Sequence, residues 1–287
     1  MQISDIKKIV VLGAGTMGSG IAHVCAAAGY KTLLFDVQPN TLSRAIDRIA
    51  ANLDEAIRRN KSTEAQKQTT LGNIETSYFF DDLKGELVIE AIVEDLDIKL
   101  EALGRVAAIN PPDTILASNT SSIPITRLAA HLPQPERVVG MHFFNPAHLM
   151  KLVEIVAGLA SNPQTIKTTS ELAEKLGKTP VETQDSPGFI VNRVARPYYV
   201  EALQIAEESI ADYAIIDELA EASGFKMGPF RLMDLIGIDV NFSVTHSIYQ
   251  SFHQIPRFRP SRLQQQKVEG GYHGRKTGKG FYEYNAE

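Results

Sequence analysis

The sequence predicts an α/β fold: a doubly wound, mostly parallel sheet followed by an all-α C-terminal domain. Three observations carry this expectation. Up to about residue 185, short β-branched apolar runs alternate with helical patterns. Those runs are continuously apolar, as strands covered by helices on both faces must be. Beyond Ser186-Pro187-Gly188 the strand signals stop and helical periodicity takes over.

Residues 8–12 form a strand, apolar from Ile9 to Leu12, that runs into Gly13. Residues 16–28 form a small-residue helix stopped by Gly29, which suits a left-handed terminus. Residues 32–35 form a second strand ending at Asp36. Strand, helix and strand in this order make a right-handed βαβ unit with a parallel pair. A long amphipathic helix over residues 39–62 carries Arg44, Arg48, Arg58 and Arg59. Further buried strands are expected at 87–91, 115–118 and 138–141, with 152–156 added after the connection through Pro146 and 181–183 as another. A boundary near Asp185 separates domains 1–185 and 186–287. The second should hold helices over 189–208, kinked at Pro197, then 212–223 and 229–252, and a short strand-like tail at 280–284.

A length of 287 residues favours two domains. The net charge of -5 provides no electrostatic footprint for nucleic acid or an anionic membrane. No apolar run reaches membrane-spanning length, and residues 1–9 enter a strand without a leader pattern, so the expected location is the cytoplasm. The one cysteine, Cys25, excludes an internal disulfide and suits a reducing compartment; its apolar helix makes it a core residue. His23, His131, His148, His246, His253 and His273 lack ligand spacing with acids or cysteines, so no metal is expected. The Arg257, Arg259 and Arg262 run is read as a solvated loop. Residues 274–280 are glycine-rich and basic, but no helix follows to make a phosphate loop of them.

Gly13-Ala14-Gly15-Thr16-Met17-Gly18 fits G-x-G-x-x-G between a strand and a helix. The first glycine allows the turn, the second admits a pyrophosphate, and the third lets helix and strand pack closely. Asp36 follows at the end of the next strand, where a carboxylate binds a ribose 2′-OH. It would repel a 2′-phosphate, and no basic residue comes immediately after it. The cofactor is therefore expected to be NAD rather than NADP.

In doubly wound sheets the ligand lies outside the carboxyl ends of the strands. Those ends deliver Glu94 and Lys99, then Asn119, Ser121 and Ser122, then His142 and Asn145. If the strand after Pro146 pairs with the one before it, His142 and Glu154 stand equidistant from the turn and can face each other. An imidazole exchanges a proton near neutrality, and a carboxylate beside it fixes the tautomer. Away from a cofactor cradle, the pair would read as a satisfied strand-end histidine and a surface glutamate. Asn192, in the first turn of a helix capped by Ser186 and Pro187, is placed to point back toward the cleft between the domains.

Several motifs together resemble the L-3-hydroxyacyl-CoA dehydrogenase family, including the 3-hydroxybutyryl-CoA dehydrogenases. They are the glycine fingerprint, Glu90-Ala91-Ile92-Val93-Glu94, Ser118-Asn119-Thr120-Ser121-Ser122 and His142-Phe143-Phe144-Asn145-Pro146, with Lys151-Leu152-Val153-Glu154. Ser186-Pro187-Gly188-Phe189-Ile190-Val191-Asn192-Arg193, Met227-Gly228-Pro229-Phe230 and Lys276-Thr277-Gly278-Lys279-Gly280-Phe281-Tyr282 extend the match over essentially the whole chain. The resemblance implies a Rossmann-type NAD domain and oxidation of a 3-hydroxyacyl-CoA. His142 would be the catalytic base, Glu154 its orienting partner, and Ser121 and Asn192 would bind the reacting hydroxyl or thioester region. Gly13, Gly15, Thr16, Met17, Gly18, Asp36, Glu94, Lys99, Asn119, Ser121, Asn145 and Lys276 would line the NAD site. It also implies a homodimer formed through the helical domain.

Ala45 and Asn52 stand where the family often has a serine and a lysine for the CoA portion; Arg44, Arg48 or Arg58 could substitute. Residues 193–199 and 234–242 look closest to the branch acting on 3-hydroxyadipyl-CoA in phenylacetate breakdown. Two other readings are a dehydrogenase of a free hydroxy acid or sugar acid, and a non-catalytic NAD-binding protein of the same fold.

Overall fold

The computed structural model describes residues 1–284. It forms two compact units that divide between Ser186 and Pro187. The expected second domain runs to 287, and its last three residues lie outside the described ones.

The first unit opens with β1 (Lys8–Leu12), α1 (Thr16–Ala27) and β2 (Lys31–Phe35). Next come α2 (Pro39–Arg58), α3 (Glu64–Gly72) and β3 (Ile74–Ser77). Then follow β4 (Leu87–Glu90), α4 (Leu96–Ile109), β5 (Ile115–Ser118) and α5 (Ile125–Ala129). β6 (Val138–Phe143), β7 (Leu152–Ala157), α6 (Pro163–Lys175) and β8 (Thr179–Gln184) complete it. The strands form one sheet in the order β3-β2-β1-β4-β5-β6-β7-β8. Every pair is parallel except β6 with β7. The chain leaves β1 in one direction along the sheet and returns to β4 on its other side, the doubly wound arrangement that the alternating pattern predicts.

The core follows from the apolar runs. Ile9, Val11, Leu87, Ile89, Ala117, Val139 and Met141 pack from the central strands against Ile21, Ala22 and Cys25 of α1. Burial pushes the Cys25 thiol up to about 12, so it stays a neutral packing group, as its place in the sequence implies.

α2 is shorter than expected. It buries Leu42, Ala45, Ile49 and Leu53 at helical spacing and stops at Arg58, where Asn60 turns to a positive φ of 54°. Thr63 and Gln66 then cap α3 reciprocally. The sequence expectation leaves α3, β3, α4, α5 and α6 unassigned. β3 is an edge strand of four residues with two exposed polar side chains, so its pattern is faint. α4 and α6 do carry start signals: Asp95 accepts from the Ile98 N–H, and Asn162, before Pro163, accepts from the Thr165 N–H.

The second unit is helical: α7 (Val191–Glu207), α8 (Tyr213–Ala222), α9 (Pro229–Ile236), α10 (Ile238–Ser251) and α11 (Arg262–Glu269). Four expectations are corrected here. Ser186 and Pro187 do not begin α7, because Gly188 and Phe189, at φ 74° and 50°, first turn the chain. The single helix over 229–252 is two, broken at Gly237, whose φ of 104° no helix allows. Arg262 opens α11, capped by Ser261, rather than sitting in a loop. The tail makes isolated bridges in place of a strand, because the Asp234 carboxylate takes the Phe281 and Tyr282 N–H groups at 2.9 and 3.0 Å. Pro197 lies inside α7 as expected.

Candidate active site

The register of the parallel strands sets their carboxyl ends in a row: Phe35 beside Leu12, Leu12 beside Glu90, and Glu90 beside Ser118. Each following residue extends the row by a backbone bond: Gly13 to Phe35, Ala91 to Leu12, and Asn119 to Glu90. The polar residues expected at strand ends therefore share one edge of the sheet.

The three fingerprint glycines have three different reasons. Gly13 has a φ of 104°, and a Cβ there would sit 2.7 Å from the Ala91 carbonyl oxygen. At Gly18 a Cβ would overlap the Gly13 carbonyl oxygen. At Gly15 a Cβ would meet no protein atom within 4 Å, and the backbone is extended at φ -64°. Protein packing therefore demands glycine at 13 and 18 but not at 15. An open, side-chain-free surface at the N-terminus of a twelve-residue helix fits a dinucleotide pyrophosphate. Thr16 and Met17 form the first turn of that helix.

Asp36 is held in place by the same loop. Its Oδ2 accepts from the Ala14 N–H and its Oδ1 from the Gln38 N–H, both at 3.0 Å. Each carboxylate oxygen keeps a lone pair for a ribose hydroxyl.

Glu94 organises the loop after β5. Its Oε1 accepts from the Thr120 hydroxyl at 2.7 Å, from the Ser121 and Ser122 N–H groups at 2.9 and 3.0 Å, and from both serine hydroxyls. Burial opposes its ionisation, but Lys99, with the bonds from Thr120, Ser121 and Ser122, outweighs that and holds its carboxyl below the usual range. Lys99 itself is only 1% exposed. Its ammonium lies 2.5 Å from Glu90 and 3.3 Å from Glu94. Lys99, expected at the cofactor, is buried here and bonded to both carboxylates.

β6 runs two residues further than expected, because β7 pairs with its end. The antiparallel register places His142 directly opposite Glu154. His142 Nδ1 and Glu154 Oε2 are 2.7 Å apart, with His142 6% and Glu154 0% exposed. An ionised carboxylate only accepts, so Nδ1 carries the proton and donates it. Phe144 packs on the imidazole, ring centres 4.5 Å apart. Asn119 Oδ1 accepts from the Phe143 N–H at 2.8 Å, tying the end of β5 to the strand that carries His142. Asn145, exposed, follows at the start of the turn.

This pairing at the edge of a dinucleotide cradle frames the similarities to known proteins. Residues 8–186 match the family model described as the 3-hydroxyacyl-CoA dehydrogenase NAD binding domain. Residues 188–284 match the one described as the 3-hydroxyacyl-CoA dehydrogenase C-terminal domain. The chain belongs to the 3-hydroxyacyl-CoA dehydrogenase family. It is 47% identical over 285 residues to the 3-hydroxyadipyl-CoA dehydrogenase of Escherichia coli strain K12, which covers 99% of this chain and 60% of that one. It is 40% identical over 282 residues to the probable 3-hydroxybutyryl-CoA dehydrogenase of Bacillus subtilis strain 168, covering 98% of each. The crystal structure of (S)-3-hydroxybutyryl-CoA dehydrogenase from Ralstonia eutropha matches with a TM-score of 0.94 at 40% identity, over 98% of this chain and 100% of that one. The chain thus spans about 60% of the Escherichia coli relative and nearly all of the other two. The matching model describes the first unit as an NAD binding domain, so NAD is its cofactor.

Other expected site residues stand as follows. Asn192 and Lys276 belong to the second unit: Asn192 is the second residue of α7, and the Lys276 ammonium lies 2.7 Å from Asp239. Ala45 is buried in the core. Arg44 bonds locally to Asn40 and Thr41, and Arg58 pairs with Glu55. Arg48 is different: it donates to the Ser19 hydroxyl at 3.0 Å, one residue past the fingerprint. Sequence reasoning passed over Glu90 and Ser118, although both stand inside quoted motifs. A buried carboxylate inside an otherwise apolar strand was the available signal. Among the described residues, no group of three or more His, Cys, Asp or Glu could hold a metal, and no helix is long and apolar enough to cross a membrane.

Proposed function

We propose that this chain catalyses the reversible oxidation of a short-chain L-3-hydroxyacyl-CoA, 3-hydroxybutyryl-CoA in the first instance, to the 3-ketoacyl-CoA. The carrying observation is the 2.7 Å His142–Glu154 pair at the strand edge that also holds the glycine cradle. With Nδ1 committed to Glu154, proton exchange with the substrate hydroxyl falls to Nε2 of His142. As the imidazole takes the proton, the facing carboxylate offsets the positive charge and keeps the ring in plane. NAD, when bound, supplies the hydride acceptor. Ser121, on the loop gathered by Glu94, is the hydroxyl-binding group of the first unit. Asn192 is assigned to the substrate on its motif alone. Gly13, Gly15, Thr16, Met17, Gly18, Asp36, Glu94, Lys99, Asn119, Ser121 and Asn145 are the cofactor residues. Lys276 is kept among them on its motif. A non-catalytic role would leave a desolvated histidine–carboxylate pair without a use.

A 3-hydroxyadipyl-CoA preference is the second reading, favoured by the 47% identity to the Escherichia coli enzyme of that name. The two are separated by following NADH consumption with 3-ketoacyl-CoAs of increasing length, 3-ketoadipyl-CoA among them. Highest kcat/KM with acetoacetyl-CoA supports the first reading, and highest with 3-ketoadipyl-CoA replaces it with the second. Free acetoacetate used as well as its CoA ester would sink both. We also infer a cytoplasmic enzyme and a homodimer formed through the helical unit. Val194, Ile215, Leu219 and Phe225 are exposed there, and a second copy would remove them from water. A monomeric mass in solution would count against that.

A further inference from the structure

Glu90 is a buried charged group that the mechanism does not use. Glu90 is 0% exposed at the end of β4, in the middle of the sheet edge. Carboxylates are rarely buried unless paired and fully bonded. Here the bonding is complete. Oε1 accepts from the Ile92 N–H at 2.8 Å and from the Lys99 ammonium at 2.5 Å, and Oε2 accepts from the Ser118 hydroxyl at 2.6 Å. Ser118, its register partner on β5, in turn accepts from the Thr120 N–H at 3.3 Å.

From this centre two arms lead to the surface. One runs through Lys99 to Glu94, whose side chain is 36% exposed. The other runs through Ser118 to Thr120, whose hydroxyl Glu94 also receives. Thr120 Oγ1 then accepts from the Ser122 and Ile123 N–H groups at 3.3 and 2.9 Å. The loop bearing Ser121 is thereby held from below and from the side by one charged centre.

We infer that Glu90 is a positioning residue: with Lys99 it forms a buried counter-ion pair that fixes Glu94 and the Ser121 loop in the geometry that receives NAD. The charges run Glu90 negative, Lys99 positive, Glu94 negative, so Lys99 is shared between two carboxylates. Neutralising Glu90 leaves the ammonium to Glu94 alone and draws that carboxylate inward, away from the loop it gathers. A buried ion pair is seldom needed for stability, because an apolar pair of like volume does as well; its use here is geometric.

This inference rests on the cofactor reading given above, and its test keeps the two apart. Full-length Glu90→Gln and the double variant Glu90→Gln/Lys99→Met are compared with the unaltered chain. NADH affinity is read from NADH fluorescence, KM for NAD and kcat from turnover, and the thermal midpoint from unfolding. Glu90→Gln is expected to weaken NADH binding and raise KM for NAD by about ten- to a hundredfold, the usual range for groups that orient a contacting residue, with a smaller loss in kcat. The double variant removes the stranded ammonium; it is expected to regain thermal stability and still bind NADH weakly. It also supplies the reading if Glu90→Gln does not fold. Unaltered NADH affinity in a folded form of either variant would overturn the inference. His142→Gln, measured alongside, reports on proton transfer independently: its loss of turnover upholds the catalytic reading even where Glu90 proves indifferent.

Discussion

Gly15 and Gly18 separate what the fold needs from what the ligand needs. Gly18→Ala drives a Cβ into the Gly13 carbonyl oxygen, so helix α1 must shift from β1. Both the thermal midpoint and NADH affinity should fall. Gly15→Ala meets no protein atom within 4 Å and keeps an allowed backbone, so the midpoint should hold while NADH affinity drops at least about tenfold. Equal NADH binding in Gly15→Ala and the unaltered chain would contradict the placement of the pyrophosphate. Glu154→Gln keeps the shape beside His142 but removes the charge that stabilises the imidazolium. It should lower kcat by about 10²–10⁴-fold with NADH affinity unchanged, measured by steady-state turnover. These residues were legible because each motif carries its own chemistry: a glycine where no side chain fits, a histidine opposite a carboxylate. Glu90 and Lys99 were harder, since a charge inside the fold shows its partner only once β4, β5 and α4 are packed.

Among the elements, α1 carries a pH dependence of its own. His23 stacks on His148, ring centres 5.4 Å apart, and its Nδ1 has no hydrogen-bond partner among the described residues. Burial, then His148 and Lys178, hold its pKa down to about 4 from 6.5. The unfolded chain therefore binds this proton between pH 6.5 and 4 while the folded one does not. Stability should be flat in this respect above pH 6.5 and fall by roughly 3 kcal/mol as the pH drops to 4. Glu94, held below the ordinary carboxylate range, adds a further loss at lower pH as its own proton goes on. Denaturant unfolding of His23→Leu across this range should show a flatter slope; an unchanged slope would remove His23 as the cause. The strands and α1 were readable from apolar runs and glycine stops. β3 was not, because a four-residue edge strand with two adjacent exposed polar residues lacks the buried-run signature. The break at Gly237 was missed because a glycine inside an apolar helical pattern is ambiguous until its φ of 104° is known.

The whole molecule combines a sheet that places the chemistry with a helical unit whose parts are tied by buried acids. Asp217 accepts from the Phe230 and Arg231 N–H groups at the start of α9 and from the Tyr282 hydroxyl. Asp234, at the other end of α9, accepts from Phe281, Tyr282 and the Tyr284 hydroxyl. The glycines at 274 and 280 are required by this arrangement, since a Cβ at either would strike Asp234. The glycine-rich tail is thus a strap and not a phosphate loop. Asp234→Ala leaves two tail N–H groups without acceptors and should cost about 2–3 kcal/mol in denaturant unfolding. Fold class was legible from the order of strand and helix signals, and the NAD cradle from its motif; the tail's role was not, because its acceptor lies some fifty residues back in the chain. The most direct measurement is NADH consumption with acetoacetyl-CoA by the unaltered chain and His142→Gln, with NADH affinity determined for both. His142→Gln should bind NADH normally and lose at least about 10²-fold in turnover. Turnover at the unaltered rate in that variant would contradict His142 as the proton-transfer group.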